Sequence, residues 1–175
     1  MSEKKRLVLC IDDDPSTLSL LSYLLGHGSY EVQTAAEGAP GLQMAQDSHP
    51  QVILLDVEMP GMDGYEVCRQ LQKNPTTSCI PVVFLTSHAK EQDREKAFVA
   101  GAADFLSKPF HLNSLLEKVK AQIDRTACWQ KLTGDNADDM ASLAHFMEFK
   151  IFVARKAGFS AEQNIRWSHL SALEL

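Results

Sequence analysis

The residue order predicts an α/β fold built on a doubly wound parallel sheet, and three observations predict it. Short continuous apolar runs alternate with amphipathic stretches, five of each within about 125 residues. Glycine, proline and asparagine punctuate the joints between them. The apolar runs stop abruptly on side chains with chemical capability: Asp12, Asp56, Thr86 and, after Ser107, Lys108. Alternation of this kind implies crossover helices on both faces, which leaves the strands buried on both sides and therefore continuously apolar.

Leu7–Ile11 is the first such run, closed by Asp12, Asp13, Asp14 and Pro15. Leu18, Leu21, Leu24 and Leu25 follow at helical spacing, with Ser16 or Asp14 as the cap and Pro15 in the first turn. Gly26 and Gly28 are expected to stop that helix. Glu31–Ala35 reads as the second strand and Gly41–Gln46 as part of the second helix, ended by His49-Pro50. Val52–Leu55 is the third strand, and Met59 to Gly64 form a loop with Asp63-Gly64 as a turn signal. Tyr65, Val67, Cys68 and Leu71 mark the third helix, broken at Asn74-Pro75. Val82–Leu85, a charged helix from Glu91 to Ala100, and Asp104–Leu106 come next. The fifth helix spans His111 to about Arg125, with an apolar stripe at Leu112, Leu115, Leu116, Val119 and Ile123.

Composition narrows the class. Hydrophobic residues make up 45% and charged residues 23%, a globular mixture that argues against disorder. The formal charge of −6, with no basic run, argues against a free-standing nucleic-acid binder. No apolar stretch approaches the roughly 18–20 residues of a membrane span. Leu7–Ile11 is too short for a signal-peptide core. The four cysteines show no CxxC pairing, which fits reduced thiols. A soluble cytoplasmic protein is the expectation.

Ligand sites of doubly wound sheets lie outside the carboxyl ends of the strands. Asp12, Asp13, Asp56, Thr86 and Lys108 should therefore converge on one edge. Three carboxylates repel one another, and a hard divalent cation relieves that repulsion. Mg²⁺ suits one or two direct carboxylates, with water and phosphate oxygens completing its shell. No histidine or cysteine stands among these strand-end residues, which argues against zinc. A carboxylate beside such an ion can attack a phosphoryl group, with a lysine and a hydroxyl holding its oxygens. The chemistry indicated is acyl-phosphate formation on one aspartate.

These residues, with the Met59-Pro60-Gly61-Met62-Asp63-Gly64 segment behind Asp56 and Pro109 after Lys108, resemble a response-regulator receiver domain of two-component and chemotaxis signalling. The resemblance covers roughly residues 5–125. It implies a flavodoxin-like five-stranded sheet of order 2-1-3-4-5 and phosphorelay from a histidine kinase or phosphotransfer protein. It implies Asp56 as phosphoacceptor, with Mg²⁺ held by Asp13, Asp56 and the backbone carbonyl of Glu58, and Asp12 acting through water. Lys108 would pair with the phosphoryl group, and the Lys108-Pro109 peptide would be cis. Thr86 becomes the switch hydroxyl and Phe105 the switch aromatic. Glu58 and His88, each two residues beyond a site residue, would tune the phosphoryl lifetime. By this reading the chain is a signalling module rather than a metabolic enzyme.

Residues 1–128 are accordingly assigned to the receiver and 129–175 to a helical extension or the interrupted start of an output region. Residues 126–175 carry a formal charge of −1, leaving −5 for residues 1–125. A helix is expected from about Ala137 to Lys156, apolar nearly all round, with Phe146, Phe149 and Phe152 beside a stripe through Met140, Leu143, Met147 and Ile151. A second runs from Ser160. The chain stops inside a helical pattern at Ser171–Leu175, which reads as part of a longer regulator. Burial of the first helix favours a homodimer through these helices. DNA binding is disfavoured, because the second helix carries one arginine and two glutamates. Two other readings compete: an aspartyl-phosphate phosphatase, for which Glu58 stands where a second acid would be, and a receiver linked to a DNA-binding output.

Overall fold

The computed structural model describes residues 5–28, 30–87 and 91–133. Ten elements alternate along them: β1 (Arg6–Ile11), α1 (Pro15–His27), β2 (Tyr30–Ala35), α2 (Gly38–Ser48), β3 (Val52–Asp56), α3 (Gly64–Lys73), β4 (Val82–Thr86), α4 (Glu91–Val99), β5 (Asp104–Ser107) and α5 (Leu112–Thr133). All four strand pairings are parallel, in the order β2-β1-β3-β4-β5. This is the flavodoxin-like sheet order, with β1 and β3 beside each other at the point where the winding reverses.

The continuous apolar runs have the cause anticipated for them. Leu9 and Ile11 of β1 enter one core with Ile53, Leu55, Phe84, Val67 and Leu71. Val8 and Cys10 enter the opposite core with Leu54, Leu85, Leu21, Leu115 and Val119. Successive side chains alternate faces, and each face is covered, so β1 from Val8, β3 from Val52 and β4 from Val82 stay apolar until the strand ends. Burial pushes the Cys10 thiol far above its usual range, with the charge of Asp12 adding to the effect, so it packs as a small hydrophobe.

Several boundaries differ from expectation for identifiable reasons. Asp14, rather than Ser16, caps α1, accepting from the Ser16 and Thr17 amides at 3.0 and 3.1 Å. Gly26 lies inside α1, and Gly28 alone closes it, its N–H donating to Leu25 O at 2.9 Å. The α2 helix begins at Gly38, since Pro40 in a first turn costs no hydrogen bond. It ends at His49, which adopts the left-handed conformation with φ 46°. The α5 helix continues eight residues past Arg125, to Thr133, because neither glycine nor proline interrupts it before Gly134. The C-terminal helices expected after residue 133 lie outside the described residues. The chain divides into two compact units, Met1–Thr126 and Ala127–Leu175; the sheet belongs to the first. No helix among the described residues is long and apolar enough to cross a membrane.

Asp63 and Gly64 do more than turn the chain. The Asp63 carboxylate accepts from the Glu66 amide at 2.7 Å and caps α3, the arrangement an Asp-x-x-Glu spacing signals. Gly64 brings the start of that helix against the end of β3, its N–H donating to Val57 O at 3.0 Å. A Cβ on Gly64 would collide with the Asp56 carbonyl oxygen and stand 3.0 Å from Val57 Cα. Both obstacles are backbone, so neither can give way. At Gly41, by contrast, an added Cβ meets only side-chain atoms of Ile11, Cδ1 at 2.5 Å, Cγ1 at 2.9 Å and Cγ2 at 3.1 Å. Gly64→Ala should lower stability by about 3 kcal/mol and Gly41→Ala by about 1 kcal/mol, the two ends of the usual overpacking range. Urea midpoints of the two variants check the ranking.

Candidate phosphoryl and metal site

The parallel sheet delivers its strand ends to one edge. Asp12 follows β1, and its N–H donates to Ala35 O at 3.1 Å. Asp56 is the last residue of β3 and pairs with Leu85. Thr86 closes β4 and pairs with Ser107 of β5. Lys108 is tied back to β4 by its N–H, which donates to Thr86 O at 2.7 Å. The Lys108-Pro109 peptide is cis.

These backbone ties bring the side chains together. The Lys108 ammonium donates to Asp12 Oδ2 at 2.7 Å and to Asp56 Oδ1 at 2.6 Å. The second oxygen of each carboxylate is held by a nearby amide: Asp14 N–H donates to Asp12 Oδ1 at 3.0 Å, and Glu58 N–H to Asp56 Oδ2 at 2.9 Å. Asp12 is fully buried and Asp56 is 5% exposed, so both depend on these partners for the solvation they have lost. Asp13 is exposed and opens the site to solvent. Ligand oxygens of Asp12, Asp13 and Asp56 all lie within 4.8 Å of one another.

Burial raises the Asp56 pKa, helped by the charge of Asp12; Lys108 and the Glu58 amide oppose that rise without cancelling it. Burial alone would lower the Lys108 pKa, but its bonds to Asp12 and Asp56 and their charges outweigh it and raise the value. The ammonium is thus secure at neutral pH, whereas Asp56 ionises at a cost. One cation faces three carboxylates, and a divalent cation brings the group to neutrality. The donor set consists of hard oxygens, and no cysteine or histidine belongs to it, which fits Mg²⁺ and not a softer metal.

Beside this cluster lies a small cavity walled by Val57, Tyr65, Phe84, Thr86, Ala97 and Phe105. Thr86 and Phe105, assigned together from sequence, share it. Tyr65, to which the sequence assigns no role, is part of its wall, with its ring 5.2 Å from that of Phe84. Burial, with the charges of Asp93, Asp63 and Glu58, raises its phenol pKa. Glu58 is exposed, next to Asp56. His88 lies outside the described residues. Met59 is buried in the core and Met62 packs against it.

A sheet of this order with acids, a hydroxyl and a lysine at its carboxyl edge defines a phosphoryl-handling α/β domain. The chain belongs to the response regulator receiver domain family, whose model matches residues 8–120. It is 40% identical over 119 residues to the DNA-binding dual master transcriptional regulator RpaA of Synechocystis sp. PCC 6803, covering 68% of this chain and 49% of that protein. It is 44% identical over 114 residues to the response regulator PleD of Caulobacter vibrioides, covering 65% of this chain and 25% of PleD. The chain thus spans about half the length of the first and a quarter of the second. Protein PilH of Pseudomonas aeruginosa, 35% identical over 65% of this chain, is matched over 94% of its length. Among solved structures, chemotaxis protein CheY4 of Vibrio cholerae superposes with a TM-score of 0.65 at 31% identity, over 67% of this chain and 98% of CheY4. The receiver domain of the sensor histidine kinase PA1611 of Pseudomonas aeruginosa superposes equally well, TM-score 0.65 at 27% identity, over 69% and 99% of the two chains; it carries a magnesium ion coordinated in its active-site cleft. The matched region of this chain is a receiver domain of two-component response regulators, a signalling domain.

The raised Asp56 pKa has a consequence for stability in the absence of metal. The folded state binds the Asp56 proton more tightly than the unfolded chain does, so ionisation opposes folding. That cost is absent below the ordinary carboxylate range and complete above the raised value. Asp56→Asn should therefore raise the urea midpoint at pH 7 in chelator, and the gain should vanish as pH falls through the carboxylate range. Midpoints measured between pH 3 and pH 8 test the sign.

Proposed function

We propose that Asp56 accepts a phosphoryl group from a histidine kinase or phosphotransfer protein and that the resulting acyl phosphate changes the surface around Thr86 and Phe105. The observation that carries the proposal is the Lys108 ammonium bridging Asp12 and Asp56 within 2.7 Å of each. Asp13, Asp56 and the backbone carbonyl of Glu58 would hold Mg²⁺, with Asp12 engaging it through water; the ion, when bound, neutralises charge on the phosphoryl oxygens.

An Asp56 oxygen attacks phosphorus, the P–N bond to the donor imidazole breaks, and its electron pair leaves with the imidazole. A carboxylate nucleophile has no proton to lose in forming the new bond, so the step needs no general base. Lys108 then exchanges a carboxylate oxygen for a phosphoryl oxygen, which leaves Asp12 to hold its other side. The Thr86 hydroxyl, one strand over, donates to the phosphoryl group and draws away from the cavity it walls. Phe105, on the next strand, follows. Ser87 leaves room for the group, and Glu58 and His88 bear on how fast water removes it. Residues 129–175 are assigned to the output side, to pair two chains or to open a longer effector. The setting is cytoplasmic, where kinase and Mg²⁺ are available.

Incubation of the full chain with Mg²⁺ and acetyl phosphate should add one phosphoryl group, seen by intact mass and mapped to Asp56. Asp56→Asn should remove the adduct, and an equal adduct in that variant would refute the assignment. Asp13→Asn should weaken Mg²⁺ binding at least tenfold, the low end for disturbed metal sites, in a titration followed by amide NMR shifts. Unchanged affinity would remove Asp13 from the ligand set.

A further inference from the structure

Lys118 of α5 reaches round the outer edge of the sheet. Asp104 and Leu106 of β5 face α5, whereas Phe105 between them packs into the core on the α4 side. The Lys118 ammonium contacts both sides. It donates to Asp104 Oδ1 at 2.7 Å and stands 5.6 Å from the centroid of the Phe105 ring. Asp104 is itself fixed from two further directions, accepting from the Phe105 N–H at 2.8 Å and from the amide of buried Gln122 at 3.3 Å. Phe98 meets the Phe105 ring edge-on at 6.4 Å.

We infer that Lys118 is a positioning residue that holds the Phe105 ring at the outer edge of β5, and that the ring gives up this contact when it moves toward Thr86. The inference rests on the proposed roles of Phe105 and Thr86 as the switch pair. The topology supplies the argument. β5 is the edge strand and Thr86 lies on β4 inside it, so a ring moving toward Thr86 moves away from α5. Lys118 cannot follow, because Asp104 anchors its ammonium. A contact made in one state only shifts the population by its own worth. A cation over a ring near the surface corresponds to a factor of about two to five in that equilibrium. Nothing in the periodicity of α5 announces this role, since Lys118 sits between Glu117 and Val119 like any surface lysine.

The test uses the full 175-residue chain labelled with fluorophenylalanine, with the Phe105 signal assigned by its loss in Phe105→Leu. In wild type, Mg²⁺ with beryllium fluoride should move this signal. Without the mimic, Lys118→Met should move it part of the way in the same direction and raise the acetyl-phosphate phosphorylation rate of Asp56 about two- to fivefold. Asp104→Asn, which loosens the anchor without touching the ring, should act in the same sense, and Lys118→Arg, which keeps a cation there, should restore both readouts. Amide NMR spectra confirm that the variants fold. A wild-type chain that takes no phosphoryl group on Asp56 overturns the functional reading and this inference with it. A wild type that is phosphorylated, beside Lys118→Met and Asp104→Asn variants with wild-type ring signals and rates, overturns the inference alone.

Discussion

The charge bridge from Lys108 to Asp12 and Asp56 is the constraint around which the carboxyl edge of this sheet is arranged. Two buried carboxylates a few ångströms apart would not both stay ionised unaided. The fold answers by giving each one oxygen to Lys108 and the other to a backbone amide two residues on. Removing Lys108 would leave two buried carboxylates uncompensated, which is far costlier than the bridge is stabilising. The bridge is therefore better understood as a poised arrangement than as a source of stability. Asp13, left outside it and exposed, supplies the excess negative charge that makes a divalent ion welcome.

This arrangement depends on register. Asp12, Asp56, Thr86 and Lys108 come from four strands, and a slip of one residue in any of them would turn its side chain to the other face. Continuous burial on both faces prevents the slip, because every position from Val52 to Leu55 and from Val82 to Leu85 is already committed to one core or the other. Backbone bonds then carry the order past the strand ends: Lys108 to Thr86, Val57 to Leu85, Gly64 to Val57. The absence of a side chain at Gly64 matters at the same point, since it lets α3 begin directly against the carbonyl of the nucleophile.

The strands and the five strand-end residues were legible because both signals are local. A short apolar run that stops on a carboxylate is visible in one dimension, and parallel topology does the rest. The α1, α3 and α5 stripes were visible for the same reason. The cap at Asp63 has a readable spacing to Glu66, which the turn signal of Asp63-Gly64 masks. Tyr65 and Lys118 had no such mark. Tyr65 falls within the apolar pattern of α3, so its place in the wall of the Thr86 cavity depends on how α3 packs over Phe84. Lys118 meets Asp104 and Phe105 across 14 and 13 positions and round a sheet edge, and no periodicity encodes a contact of that kind. The end of α5 was misplaced because the resemblance to the receiver family stops near Arg125, whereas the helix obeys only the local rule that nothing before Gly134 breaks it.

The two lysines flank β5 and divide the work of a switch between them. Lys108 sits at the carboxyl end of the strand and responds to charge added at Asp56. Lys118 sits beside its amino end and holds the ring one residue along from Asp104. Between them, Phe105 borders both the Thr86 cavity and the α4 surface, where Val99 is exposed. A change of one charge at Asp56 is compact and short-ranged, so it needs a nearby element with two arrangements of similar free energy if it is to reach the surface. An edge strand is suited to this, because among the described residues one of its sides has no neighbouring strand to fix it. The interior strands β1 and β3 hold the acids still, and the edge strand β5 is free to report what happens to them.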